Sequence, residues 1–99
     1  MKSFDYRGID EVIHGRVRLA IMAFLMGARQ SDFVELKKTL ELTDGNLAVQ
    51  LRKLEEHAHV RIEKGYLGRR TRMTVTITPE GDAAMTAYLA RLKTLFPDT

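Results

Sequence analysis

The spacing of apolar positions changes along the chain, and the changes mark boundaries between kinds of structure. Ile9, Val12 and Ile13 begin a helical spacing, Gly15 interrupts it, and Val17 through Met26 resumes it. This predicts a broken helix, or a short helix followed by a longer one, ending at Gly27. Val17, Ile21, Phe24 and Leu25 share one face, while Ala20, Met22, Ala23 and Met26 carry apolar surface further around. A helix this apolar is expected to be covered by a domain core and by a second subunit.

Ser31 is expected to cap a short helix from Asp32 to about Leu40, with Phe33, Leu36 and Leu40 as its inner stripe. Leu42 to Gly45 makes a tight connection, and Thr43 caps a third helix reaching about His57, with Leu47, Leu51 and Leu54 in three-and-four register. Two short capped helices joined in this way match a helix-turn-helix. The period then falls to two. Val60 and Ile62 alternate with Arg61 and Glu63, and Met73, Val75 and Ile77 alternate with threonines. These runs predict a hairpin whose loop extends from Gly65 to Thr71 and whose second strand runs from Arg72 to Ile77. Thr78-Pro79 opens a last helix with a cap and a first-turn proline, and Met85, Tyr88, Leu89, Leu92, Leu95 and Phe96 form its apolar edge. The expected fold is mainly α with a small β-hairpin, in the order α-α-α-β-β-α, as a single domain over 1–99.

Composition narrows the function. The absence of cysteine excludes disulfides, thiolate metal ligands and thiol redox chemistry, and it fits a reducing cytoplasm. The N-terminal MKSFDYRGID lacks the apolar core of a signal peptide. The longest apolar run, Leu19 to Met26, falls well short of the about 20 residues of a membrane span. A soluble cytoplasmic protein is expected. The formal charge is +3, yet Arg52 to Arg72 holds seven basic residues against three acidic ones, a local excess of +4. The positive charge is therefore regional, and it permits an anionic partner.

Since the leucines occupy one face of the third helix, Asn46, Ala48, Val49, Arg52 and Lys53 are expected to face outward. Asp44 and Gly45 stand at its tip and Gln50 at its edge. This set suits a groove reader. Asn or Gln can pair with adenine edges, Ala48 and Val49 can meet a thymine methyl, and Arg52 and Lys53 can hold phosphates. Gly45 leaves first-turn amides open to a phosphate. In the following GYLGRRTR, Arg69, Arg70 and Arg72, with Thr71 among them, form a basic cluster suited to a duplex backbone or minor groove.

The run ELKKTLELTDGNLAVQLRKLEEHAHVRIEKGYLGRRTRMTVTITPEG, Glu35 to Gly81, resembles small winged-helix transcriptional regulators related to the MarR and ArsR families. With the upstream IHGRVRLAIMAFL, the resemblance covers roughly residues 9 to 96. It implies a homodimer that binds double-stranded DNA, with the third helix in the major groove and the hairpin as a wing on the neighbouring backbone. The matching recognition positions are Asp44, Gly45, Asn46, Ala48, Val49, Gln50, Arg52 and Lys53, and the matching wing positions are Arg69 to Arg72. The dimer interface is then expected at Ile9, Val12, Ile13, Met22, Met26, Met85, Tyr88, Leu89, Leu92 and Phe96. Ala58 departs from the pattern, since it stands where a helix-ending glycine is common. An interaction module that reuses the fold without specific DNA binding is the alternative.

His14, His57 and His59 show no metal-ligand spacing, no nucleophile elbow or phosphate loop is present, and no metal, cofactor or enzymatic activity is expected. The methionines and aromatics of the first and last helices could line an effector pocket, but plain dimer core accounts for them better.

Overall fold

A computed structural model of the chain describes residues 8–96. The elements are α1 (Arg16–Ala28), β1 (Gln30–Asp32), α2 (Phe33–Leu40), α3 (Asp44–Glu56), β2 (Val60–Leu67), β3 (Arg70–Ile77) and α4 (Pro79–Leu95). The early apolar residues do not form a helix of their own. Ile9 to His14 fold as turns, with Asp10 Oδ1 accepting the amides of Val12 (2.8 Å) and Ile13 (3.2 Å). Beyond Gly15 a single helix continues through Gly27.

Strand β1 was not visible in the residue pattern. Its three residues pair antiparallel with β3, Ser31 opposite Val75, and the sheet order is β1-β3-β2. The strand also moves the cap of α2 by one residue. Asp32, rather than Ser31, accepts the Glu35 amide at 2.6 Å. Ser31 is buried in the strand and its hydroxyl donates to Glu35 Oε1 at 2.9 Å.

The hairpin is longer and its loop shorter than the alternation implied. Pairing runs from Val60 opposite Ile77 to Leu67 opposite Arg70, leaving a turn of Gly68 and Arg69. Gly68, at φ 65°, takes the positive φ that the favoured two-residue hairpin turns demand at their first position. Gly65 lies within the ladder opposite Arg72. Past Lys64 and Met73 the ribbon leaves the core, so its main-chain hydrogen bonds continue while side-chain alternation loses its cause. Tyr66 is 77% exposed and Leu67 65% exposed on this projecting part.

The core lies where α1, α3 and α4 meet the base of the sheet. It contains Ile21, Met22 and Leu25 of α1, Leu36 of α2, Leu47, Leu51 and Leu54 of α3, and Val60, Val75 and Ile77 of the strands. Burying each such side chain contributes about 1.5–3 kcal/mol. Ile13, Met22, Met85 and Tyr88 also lie here, at most 3% exposed. They are enclosed by their own chain, so the expected interface positions narrow to Ile9, Val12, Met26, Leu89, Leu92 and Phe96. The Tyr88 hydroxyl meets His14 Nδ1 at 2.9 Å, and burial raises its pKa above the ordinary value.

Besides Arg29 (φ 70°) at the end of α1, two helices end on non-glycine residues at positive φ, Glu41 (φ 54°) and Ala58 (φ 60°). At each exit the next amide reaches back five residues, Leu42 to the Lys37 carbonyl (3.0 Å) and His59 to the Leu54 carbonyl (2.9 Å). This is the Schellman arrangement, which favours glycine. Ala58→Gly is expected to raise stability by about 1 kcal/mol, the relief of the left-handed penalty less the entropy cost of glycine. Thermal or denaturant unfolding would measure the gain.

Candidate nucleic-acid interface

Helix α3 is aimed from below by Leu47, Leu51 and Leu54, all at most 1% exposed. Its start is fixed by Thr43, whose Oγ1 accepts the Asn46 amide at 3.1 Å. With that face buried, Asn46, Ala48, Val49, Arg52 and Lys53 are exposed. Val49 is 46% exposed and stands beside the exposed Ala48 among these polar side chains. Gly45 is exposed, and a Cβ there would meet nothing within 4 Å. Asp44 is paired with Lys37 Nζ of α2 at 2.9 Å. Its negative charge is thus locally compensated at the helix tip, and the pair ties α2 to α3.

Gln50 is half-buried and linked on both sides. Arg18 Nη1 of α1 donates to its Oε1 at 2.7 Å, and its Nε2 donates to Asn46 Oδ1 at 3.2 Å. In the sequence, an arginine between Val17 and Leu19 reads as an ordinary solvent-facing helix position, and only the fold brings Arg18 to Gln50. Gly15 carried the signal. A Cβ there would stand 2.6 Å from Arg18 Nη2, so the glycine makes room for the guanidinium.

On the wing, Arg69 occupies the turn, Arg70 and Thr71 begin β3, and all three are exposed. Arg72 differs. Its Nε lies 3.9 Å from Asp32 Oδ2, the carboxylate that caps α2, so it is partly compensated at the root of the wing. Among the grooves, one of about 410 Å³ lies between the wing and α2, bordered by Phe33, Val34, Leu67 and Arg70 to Met73.

The histidines are drawn into the scaffold. His57 Nδ1 lies 3.0 Å from the Lys53 carbonyl. His59 is mostly buried where α3 ends and β2 starts; its Nε2 is 3.9 Å from Asp10 Oδ2, and its buried Nδ1 has no hydrogen-bond partner among the described residues. Desolvation lowers its pKa below the ordinary 6.5, Asp10 opposing the shift and His57 adding to it. The fold therefore favours neutral His59, and the unfolded chain takes up the proton first. Stability is expected to fall as pH drops below about 6.5 toward the lower folded value. Urea unfolding at a series of pH values should show that slope, and His59→Gln should flatten it. Among the described residues, no group of three or more His, Cys, Asp or Glu side chains is placed to hold a metal ion, and no helix is long and apolar enough to cross a membrane.

Comparison with known proteins supports the same assignment. The model of the winged helix DNA-binding domain family matches residues 17–96. Over 79 residues the chain is 37% identical to uncharacterized protein MJ0432 of Methanocaldococcus jannaschii, covering 80% of this chain and 86% of that protein. The structure of a transcriptional regulator homologue from Pyrococcus horikoshii OT3 matches with a TM-score of 0.87 and 32% identity, over 98% of this chain and 96% of that one. A protein from Enterococcus faecalis V583, assigned to the MarR family of transcriptional regulators, matches with a TM-score of 0.71 and 28% identity, over 87% and 79% of the two chains. With its capped and leucine-anchored third helix beside an arginine-tipped hairpin, the chain belongs to the winged helix DNA-binding domain family, which comprises regulators rather than enzymes.

Proposed function

We propose that the protein is a cytoplasmic, homodimeric transcriptional regulator that binds double-stranded DNA in a sequence-specific manner. Helix α3 enters the major groove, and the wing lies on the flanking backbone or minor groove. The exposed side of α3 carries this reading. It combines Asn46, Ala48 and Val49, which can address base edges and thymine methyls, with Arg52 and Lys53, which can hold phosphates.

The dimer is proposed along α4, where Leu89 (44% exposed) and Phe96 (60% exposed) extend the apolar line through Leu92. Two-fold symmetry then calls for a pseudo-palindromic site with half-sites about one helical turn apart. Selection from a random duplex pool tests the function. One enriched palindrome is the expected result, and a folded protein that enriches no sequence would sink the proposal. Light scattering tests the dimer. The intact chain is expected at twice its 11.3 kDa, and Leu89→Glu with Phe96→Glu is expected to give a monomer that still unfolds cooperatively.

A further inference from the structure

The direction of the hydrogen bonds on α3 determines which base edge it suits. Arg18 carries donors only. Its Nε donates to the Val12 carbonyl, its Nη2 to the Glu11 carbonyl at 3.4 Å, and its Nη1 to Gln50 Oε1 at 2.7 Å. Because the guanidinium can accept nothing, Gln50 must present its oxygen to Arg18. Its amide nitrogen then points the other way and donates to Asn46 Oδ1 at 3.2 Å. Each amide oxygen already accepts one bond from within the protein, whereas three N–H groups of the pair are unused in this network: two on Asn46 Nδ2 and the second one on Gln50 Nε2.

A free Asn or Gln reads adenine with oxygen and nitrogen side by side, accepting from N6 and donating to N7. For Gln50 that pose competes with the bond from Arg18, which holds its oxygen toward α1 and turns its amide nitrogen toward Asn46. A pair that offers donors instead suits guanine, whose major-groove edge presents two acceptors, N7 and O6. We infer that Arg18 is a positioning residue that sets Gln50 and Asn46 to read guanine in place of adenine; this rests on the proposed docking of α3 in the major groove. Gly15 belongs to the same device. Its backbone, at φ −86° and ψ 136°, suits any residue, yet a Cβ would stand 2.6 Å from Arg18 Nη2 and 2.7 Å from Cζ. An alanine there displaces the guanidinium while leaving it in the chain.

The test is selection from a random duplex pool by the full chain and by Arg18→Met, Arg18→Lys and Gly15→Ala. Anisotropy titrations then use duplexes that differ only by guanine or adenine at the affected position, and circular dichroism melting establishes folding. The wild type is expected to select guanine at one position of each half-site. In Arg18→Met and Gly15→Ala the guanine-over-adenine preference should drop roughly tenfold, while Arg18→Lys, still a donor, retains it. Gly15→Ala keeps the test decisive if Arg18→Met fails to fold. A wild type that selects adenine there, or a consensus unchanged in the folded variants, overturns this inference alone. A folded wild type that enriches no sequence overturns it together with the proposed function.

Discussion

Replacing Gly81 with alanine is expected to lower stability by about 3 kcal/mol, on the order of 15 °C in melting temperature for a domain of this size. Gly81 is buried in the first turn of α4, and its amide donates to Thr78 Oγ1 at 2.9 Å. A Cβ at this position would stand 2.9 Å from the His59 carbonyl carbon and nearer still to its oxygen. That oxygen is not free to yield, because it accepts the Thr78 amide at 3.1 Å while the Thr78 hydroxyl donates to the neighbouring Ala58 carbonyl. The obstacle is thus main chain held from two directions, unlike the flexible guanidinium facing Gly15. Differential scanning calorimetry would measure the loss. A melting temperature within a few degrees of wild type would show that the start of α4 can slide away from β2.

Replacing both Arg69 and Arg70 with alanine is expected to weaken binding to every duplex by up to about thirtyfold near physiological salt. The slope of log K against log salt should become shallower by about 1.8, the release of counterions from two phosphates. The two side chains are exposed at the hairpin end, so folding should be unaffected. Arg72→Ala is expected to act less on the salt slope, since its guanidinium already lies near Asp32. Anisotropy titrations over a salt series distinguish these outcomes. An unchanged slope in the double variant would mean that the wing does not touch the backbone.

Helix order, both threonine caps and the buried leucines of α3 were legible in the sequence because each rests on a local signal that tertiary contacts reinforce. Thr43 and Thr78 each precede an apolar period and each accept an amide three residues on. The first strand was hidden, because Gln30, Ser31 and Asp32 are too few to show alternation and owe their extended form to pairing with β3. The same pairing displaced the cap of α2 from Ser31 to Asp32. The reach of the wing was hidden for the opposite reason, as its outer half faces solvent on both sides and nothing selects a period there. The family resemblance supplied the proposed recognition positions, but Gln50's bond to Arg18 joins residues 32 apart in sequence, a relation that no local pattern carries. The anomaly at Ala58 was legible, and its meaning lies in the Schellman exit of α3, which holds an alanine at the positive φ that favours glycine.

The exposed Tyr66 gives the molecule an optical reporter of its own. The chain has no tryptophan and three tyrosines, so ultraviolet emission comes from phenol rings alone. Tyr88 is shut in the core with its hydroxyl against His14, whereas Tyr66 stands 77% exposed four positions before Arg70. A duplex lying along the wing would bring nucleobases beside that ring and quench its fluorescence, while Tyr88 stays dark to the event. Subtracting the signal of Tyr66→Phe isolates the wing, so its proposed contact with DNA could be timed without any label.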